Sequence, residues 1–202
     1  MKIAVLGATG RVGSRIIAEA LRRGHAVTGI ARDPEKLAPA ERLTRRAGDA
    51  LSPGLADLLR GHDVVVSAMR FANVPAGAVI QAVTQAGLRR LVVVGGAGSL
   101  QVAPGVQLVD TPQFPAAYRP EASAGRDFLN TLKQERALDW TFLSPSASFE
   151  PGERTGSFRL GGDQLLVDAS GKSRISMEDY AIALLDEIET PRHVRQRFTV
   201  GY

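Results

Sequence analysis

The chain has 202 residues, of which 44% are hydrophobic and 23% are charged, and its formal net charge is +4. It contains no cysteine, which excludes disulfides, thiolate catalysis and cysteine-bound metal or iron–sulfur centres. Its three histidines lie far apart without the spacing of metal ligands, so we expect no metal site.

The distribution of charge indicates the kind of partner, and the first residues indicate the location of the protein in the cell. The arginines are scattered, and no base-stacking aromatic residues interleave with them, so we expect no nucleic-acid partner. The first apolar run, Ile3–Leu6, is too short for a signal-peptide core or a membrane span. We therefore expect a cytoplasmic protein with no membrane partner, either a monomer or a homodimer.

Short apolar runs alternate with helical stretches in the first half of the chain. The predicted strands are Lys2–Leu6, Ala26–Ala31, Leu43–Gly48, Val64–Ala68 and Leu91–Val94. The predicted helices between them are Val12–Arg23, Pro53–Arg60 and Ala76–Ala86. Such alternation predicts an α/β fold of the Rossmann type, with a doubly wound, mainly parallel sheet.

The second half is less regular and predicts a small C-terminal elaboration. Val102–Pro120 contains four prolines and is predicted to be a long loop, while Glu150–Gly171 has the glycines and short alternating segments of a hairpin-like excursion. Ser176, with Asp179 three residues later, resembles the capping box that opens a helix. The other predicted elements are helices Ala122–Arg136 and Ser176–Glu189 and strands Trp140–Leu143 and Phe198–Val200.

Three glycines, Gly7, Gly10 and Gly13, follow the first predicted strand at a spacing of three residues. In a strand–turn–helix unit, early glycines allow a tight turn close to a pyrophosphate, and the last allows the helix to pack on the strand. The helix N-terminus offers free N–H groups and a positive dipole end to phosphates. Glycines in turns are often only structural, but strand, turn, helix and second strand occur here in order, which favours a dinucleotide site.

The end of the second strand bears on the choice of cofactor. Arg32 stands there, and Arg11 lies in the glycine turn; two guanidinium groups near one 2′-phosphate favour NADP(H) over NAD(H). Asp33 weakens this preference unless it points away, caps the next helix or pairs with Arg32.

Other strand ends should line the same crevice, because open α/β sheets bind ligands beyond the carboxyl ends of their strands. Asp49 either accepts a hydrogen bond from adenine or caps its own loop. The predicted cofactor-binding residues are Gly7, Thr9, Gly10, Arg11, Val12, Gly13, Arg32, Asp49, Ser67, Ala68, Met69, Gly95 and Gly96. We predict one NAD(P)-binding Rossmann domain over residues 1–202, in which about residues 145–202 supply substrate-side loops.

Several segments carry a resemblance to a known family. They are 2–13 (KIAVLGATGRVG), 31–37 (ARDPEKL), 94–100 (VGGAGSL), 108–112 (LVDTP), 151–156 (PGERTG) and 175–181 (ISMEDYA). The chain is similar over essentially its whole length to atypical short-chain dehydrogenase/reductases, and more narrowly to bacterial NADH-flavin reductases, which are relatives of NmrA-like proteins and biliverdin reductase B. The resemblance implies a Rossmann fold and a nicotinamide cofactor more firmly than it implies a substrate.

No catalytic residue is identified. The Tyr-x-x-x-Lys pair of typical short-chain dehydrogenases is absent, since Ala122 follows Tyr118 and Leu184 follows Tyr180 at that spacing. Hydride transfer from NADPH to a flavin such as FMN needs no such pair, because the cofactors carry the chemistry. Met69 and Phe71 are candidates for the flavin pocket, although core packing explains them equally well. The predicted substrate-binding residues are Ser99, Phe114, Tyr118, Pro145 and Phe149.

The leading hypothesis is an NAD(P)H-dependent reductase that acts on a flavin or a similar flat small-molecule acceptor. The alternative from another class is a non-catalytic, NADP(H)-sensing regulator of the NmrA-like type. A sugar-nucleotide epimerase is disfavoured, because such enzymes have a larger substrate domain and the Tyr/Lys pair. Glu153 and Arg154 are expected either to pair in a surface hairpin or to lie on a loop that closes over the substrate.

Overall fold

The computed structural model describes residues 1–202 and contains twelve strands and five α-helices. The strands are β1 (Lys2–Leu6), β2 (Ala26–Ala31), β3 (Leu43–Ala47), β4 (Val64–Ser67), β5 (Arg90–Val94), β6 (Gln101–Ala103), β7 (Val106–Gln107), β8 (Asp139–Ser144), β9 (Ser148–Glu150), β10 (Arg159–Gly161), β11 (Arg174–Ser176) and β12 (Gln196–Gly201). The helices are α1 (Arg11–Arg22), α2 (Leu55–Leu59), α3 (Ala76–Gln85), α4 (Arg119–Gln134) and α5 (Met177–Glu189).

Eight strands form the central sheet, in the order β10-β12-β8-β5-β4-β1-β2-β3. All neighbours are parallel except β10, which runs antiparallel to β12 at one edge. The chain order reverses direction between β1 and β4, which opens a crevice at the carboxyl ends of these strands. The predicted doubly wound, mainly parallel Rossmann-type fold is therefore confirmed.

Both faces of the sheet are covered, which explains the almost continuous valines of β4 and β5. Alternate residues of β4 face opposite layers: Val64 and Val66 join the core against α1 and α5, whereas Val65 joins the core against α2, α3 and α4. All three are fully buried. A strand buried on both faces gains hydrophobic stabilisation at every position, so it needs no polar alternation.

The long loop predicted over Val102–Pro120 is more structured than expected. It contains the short β6–β7 hairpin and two one-turn 3₁₀ helices, Leu108–Asp110 and Ala116–Tyr118. Helix α4 also begins at Arg119, before the predicted Ala122, because proline is tolerated in the first turn of a helix, where its missing N–H is not needed.

The prediction of a hairpin-like excursion over Glu150–Gly171 is wrong, because the strands of this segment do not pair with each other. Strand β9 pairs in parallel with β11, and β10 pairs with β12, so neither strand of the segment pairs with the other. The local pattern indicated short strands, but their partners lie more than 20 residues away. The predicted cap of α5 is confirmed, since Ser176 Oγ accepts a hydrogen bond from the Asp179 N–H at 3.0 Å. No helix combines the length and the apolar character needed to cross a membrane.

Candidate functional site

The glycine turn connects β1 to α1 at the crevice. Gly7 has a φ of +76°, and the Gly10 N–H donates to its carbonyl oxygen at 3.0 Å, which closes the turn. A Cβ on Gly13 would lie 2.3 Å from that same carbonyl oxygen, and a Cβ on Gly7 would lie 2.5 Å from the Ala68 carbonyl oxygen. These two glycines are therefore required by backbone packing, which brings α1 and β4 close to the turn.

The first turn of α1 is suited to a phosphate group. Gly10 occupies the N-cap position without a side-chain cap, and the first turn holds no acidic residue. The N–H groups of Arg11, Val12 and Gly13 lie in this first turn and have no intrahelical partners. The open N-terminus of α1 lies directly after the glycine turn, and its free amides fit the diphosphate of a dinucleotide.

A cavity of about 550 Å³ lies beside this turn, and we call it the glycine-turn cavity. Its lining includes seven of the predicted cofactor-binding residues: Gly7, Thr9, Gly10, Arg32, Asp49, Ala68 and Met69. Four predicted cofactor-binding residues near the turn lie outside this lining, namely Arg11, Val12, Gly13 and Ser67. Ser67 is buried at the end of β4. Since the lining spans the ends of β1, β2 and β4, the cavity lies at the switch point of the sheet.

The two arginines predicted near one phosphate have different surroundings. Arg32 follows β2 directly and lines the glycine-turn cavity. Arg11 is bound instead to Glu150 at the end of β9, with 2.5 Å between Nη2 and Oε2. Asp33 pairs with Lys36 at 3.2 Å and makes no cap hydrogen bond, so it does not neutralise Arg32. Of the two arginines, only Arg32 lines the glycine-turn cavity, and its contact with a 2′-phosphate stays a prediction.

Asp49 caps its own loop while facing the same cavity. Its Oδ1 accepts a hydrogen bond from the Leu51 N–H at 2.8 Å, which is the Asx-turn pattern. The residue also lines the glycine-turn cavity. The loop-cap interpretation is therefore confirmed, and the adenine contact stays a prediction for the remaining carboxylate oxygen.

A second cavity of about 590 Å³ lies beyond the ends of β5 and β8, and we call it the aromatic cavity. All five predicted substrate-binding residues line it: Ser99, Phe114, Tyr118, Pro145 and Phe149. Gly95 and Gly96, predicted to bind the cofactor, line this cavity as well. A Cβ on Gly95 would lie 2.5 Å from the Phe142 ring, so close packing requires that glycine.

Phe71 lines the aromatic cavity and is held on three sides. Its ring packs edge-on against Phe128, with 5.2 Å between centroids, and stacks with Phe142 at 5.9 Å. Its backbone N–H donates to Glu121 Oε1 at 2.7 Å, and the Ala72 N–H donates to Oε2 at 3.1 Å. The Glu121 carboxylate on α4 therefore fixes the segment that follows β4.

Two arginines of α4 hold the 108–118 segment over the aromatic cavity. Arg119 donates to the Val109 carbonyl oxygen at 2.6 Å, and its guanidinium lies 5.7 Å from the centre of the Phe114 ring. Arg126 pairs with Asp110 at 3.0 Å. These contacts give the cavity a defined wall, and such a preformed wall reduces the entropy cost of binding.

Tyr180 lies behind the aromatic cavity, outside its lining. It is fully buried, its hydroxyl donates to the Leu143 carbonyl oxygen at 2.7 Å, and its ring packs on Phe149 with centroids 4.7 Å apart. Burial raises the pKa of the phenol far above its usual value, so the hydroxyl keeps its proton. Tyr180 therefore belongs to the core that supports the cavity.

A third, more polar depression of about 760 Å³ lies between β9, β11 and Tyr202. Although it is larger, it contains no residue of the glycine turn and none that directly follows β1, β2, β4 or β5. The geometry at the switch point therefore favours the two smaller cavities as the functional site.

The structure also shows which further residues complete the site. Arg70 belongs to the strand end 67–70, which was expected to line the crevice, and it lines both cavities and joins them. Glu121 and Arg126 lie on α4, and no sequence pattern indicated that this face of the helix reaches the site. Met69, a candidate for the flavin pocket, lines the glycine-turn cavity instead.

Comparisons with known proteins agree with this geometry. The NAD(P)H-binding family model matches residues 7–190. Among solved structures, a candidate exported protein from Burkholderia pseudomallei is 49% identical, with 100% of both chains covered and a TM-score of 0.91. A candidate epimerase from Bacteroides thetaiotaomicron is 43% identical over 100% of this chain and 96% of its own, with a TM-score of 0.95. A candidate NADH-flavin reductase from Streptococcus pneumoniae is 35% identical over 100% of this chain and 99% of its own, with a TM-score of 0.84.

These relatives share the fold while their names differ in activity. Because the Burkholderia protein is described as exported, the cytoplasmic location stays an expectation from the sequence. The family model covers the glycine turn and both cavities, from Gly7 to beyond Phe149. The chain therefore belongs to the NAD(P)H-binding family, and one of its relatives of known structure is a candidate NADH-flavin reductase.

Proposed function

We propose that the protein is an NADPH-dependent reductase of a flat, aromatic small-molecule acceptor such as a flavin. The observation that carries this proposal is the meeting of two cavities at Arg70: one beside an uncapped helix N-terminus, the other walled by Phe71, Phe114 and Phe149. A dinucleotide that occupies the first cavity extends towards the second, where aromatic walls suit a planar ring.

The residues of the chain bind and orient the reactants. The first-turn amides of α1 bind the diphosphate, and Arg32 binds the 2′-phosphate. The aromatic cavity holds the acceptor ring against the nicotinamide and excludes water from the contact. When bound, NADPH supplies a hydride. The acceptor takes up that hydride, which carries two electrons, together with one proton from solvent, and is released in its reduced form.

The lack of the acid pair of typical short-chain dehydrogenases agrees with this chemistry. The sequence lacks a Tyr-x-x-x-Lys pair, and the buried Tyr180 keeps its proton. Reduction of a flavin or quinone needs no positioned phenol, because solvent supplies the proton. An alcohol–ketone reaction would lack the roughly 100-fold contribution of a general acid.

The test is the loss of nicotinamide absorbance when NADPH is mixed with the protein and FMN, riboflavin or a quinone. A matched pair of variants then tests whether the acceptor reacts in the aromatic cavity. Ala117 lines the aromatic cavity, whereas its exposed neighbour Ala116 does not. We expect Ala117→Trp to lower kcat/KM for the acceptor at least about tenfold and Ala116→Trp to leave it within about twofold, with NADPH affinity unchanged in both.

Tight NADPH binding without turnover of any of these acceptors would contradict the reductase. Discrimination between NADP⁺ and NADPH, together with a bound protein partner, would then favour the regulatory alternative.

A further inference from the structure

Arg70 occupies the junction of the two cavities. It follows β4 by three residues and belongs to the lining of both the glycine-turn cavity and the aromatic cavity. Its side chain is 75% exposed, so its guanidinium is accessible to a ligand that enters either cavity. A ligand that spans the junction of the two cavities would therefore lie beside this guanidinium.

The charge of Arg70 is only weakly satisfied by the protein. The nearest carboxylate is that of Glu121, whose Oε2 lies 3.7 Å from Arg70 Nε, which is beyond hydrogen-bond distance. Both oxygens of Glu121 already accept backbone N–H groups, those of Phe71 and Ala72. The carboxylate therefore holds the backbone in place and leaves the donors of Arg70 available.

The other cations of the site are placed differently. Arg126, which also lines the aromatic cavity, is bound to both oxygens of Asp110, at 3.0 and 3.3 Å. Arg32 lines only the glycine-turn cavity, at the end of β2. Arg119, outside the lining, donates only to the backbone carbonyl oxygens of Val109 and Phe114. Arg70 is thus the one arginine in the lining of the aromatic cavity whose guanidinium has no hydrogen-bonded carboxylate.

We infer that Arg70 binds an anionic group on the acceptor, so that the site prefers a flat acceptor with a phosphate or carboxylate arm over its neutral analogue. The inference rests on the proposed function and names the substrate class of that same site. A guanidinium forms paired, charge-assisted hydrogen bonds with such a group. The diphosphate of the dinucleotide is also an anion that a guanidinium can bind. The experiment must therefore distinguish binding of the diphosphate from binding of the anionic arm of the acceptor.

FMN and riboflavin are suitable probes, because they share one ring system and differ by a phosphate. We expect the wild-type protein to bind FMN about tenfold more tightly than riboflavin, measured by quenching of flavin fluorescence, and to show a similar ratio of kcat/KM with NADPH. Arg70→Gln should bring both ratios close to one, and Arg70→Lys should retain part of the preference. The affinity for NADPH alone, measured by calorimetry, should stay within about twofold in Arg70→Gln.

Arg136→Gln is the matched control, since it removes the same charge from an exposed position beyond the end of α4, outside both cavities. It should keep the preference for FMN. The inference is overturned if wild type treats the two flavins equally, or if Arg70→Gln keeps the preference. Weaker NADPH binding with an unchanged flavin ratio would assign Arg70 to the dinucleotide and also overturn it.

A failure of the proposed function would give different results from a failure of the role of Arg70. Equal reduction of both flavins would support the reductase and overturn the role of Arg70. Preferential FMN binding that depends on Arg70, without turnover, would support that role and contradict the reductase. If neither flavin binds, both fail.

Discussion

Glu19, in the last turn of α1, accepts two hydrogen bonds from Arg154, with Nε and Nη2 both 2.9 Å from its carboxylate oxygens. The carboxylate is almost fully buried and also accepts from Arg23 Nε at 2.9 Å. Arg154 lies in the irregular segment between β9 and β10, so this pair ties that segment to α1. Glu153 and Arg154 therefore do not form the salt-bridged surface hairpin that the sequence suggested.

This buried pair predicts a pH-dependent stability. The hydrogen bonds from Arg154, then those from Arg23, lower the pKa of Glu19 to about 2 against the opposing effect of burial. Since the folded-state pKa is lower than the unfolded one, the stabilisation is complete above about pH 4.5 and is lost as the pH falls towards 2.

Glu19→Gln should therefore reduce the free energy of unfolding by about 1–3 kcal/mol near neutral pH, and by much less near the folded-state pKa. Urea unfolding at both pH values checks this. Glu41→Gln is the control, because the Glu41 side chain is 94% exposed, and it should have little effect at either pH. An equal loss for Glu19→Gln at both pH values would refute the titration of this carboxylate.

Arg32→Ala should weaken NADPH binding by roughly 1–3 kcal/mol and leave NADH binding nearly unchanged, because only NADPH carries the 2′-phosphate. Calorimetric titration of the two dinucleotides measures the difference. Arg46→Ala is the matched control, since Arg46 is an exposed arginine of the neighbouring strand β3 that does not line the cavity. Equal losses for NADPH and NADH would exclude the 2′-phosphate role.

Two glycine-to-alanine changes should have opposite effects. A Cβ at position 13 would lie 2.3 Å from the Gly7 carbonyl oxygen, so Gly13→Ala must displace α1, destabilise the fold by about 1–3 kcal/mol and weaken NADPH binding. Gly77 in α3 has no atom near its added Cβ, so Gly77→Ala should stabilise by roughly 0.5–1 kcal/mol and keep binding intact. Thermal unfolding and NADPH titration test both variants; normal binding by Gly13→Ala would contradict the packing requirement.

Tyr180→Phe should separate stability from catalysis. The variant loses a buried hydrogen bond, which is expected to cost about 1 kcal/mol, although the Leu143 carbonyl oxygen keeps its bond from the Gly95 N–H at 2.8 Å. Because Tyr180 lies outside the lining of the aromatic cavity, NADPH-dependent acceptor reduction should stay within about twofold. Tyr118→Phe, at a 68% exposed position, is the control for stability. A loss of turnover near 100-fold would make Tyr180 a proton donor after all.

Much of the candidate site followed from local sequence. The strand, glycine turn and helix at residues 2–22 are specified by neighbouring residues, so their order and approximate bounds were predictable. The ends of parallel strands meet at one edge, and for that reason Ser99, Pro145 and Phe149 were correctly grouped around one cavity. Their contact with an acceptor stays a prediction.

Other features depend on contacts between residues far apart in the chain. Arg11 is paired with Glu150, 139 positions away, and Glu121 holds the backbone of Phe71 from 50 positions away. The glycine spacing suggested that Arg11 meets a phosphate, but it contains no information about β9. In the same way, nothing near Glu121 in sequence indicates that α4 lies over the end of β4.

The sequence by itself determined the Rossmann-type sheet, the glycine turn and the family of nucleotide that fits it, because hydrophobic periodicity and glycine spacing act between close neighbours. The tertiary structure alone decided which arginine is available for a ligand: Arg11 is bound by Glu150, Arg126 by Asp110, and Arg70 lacks a hydrogen-bonded carboxylate. The availability of a charge depends on which opposite charge the fold brings within hydrogen-bond distance, and that distance is set by the packing of elements that are remote in sequence.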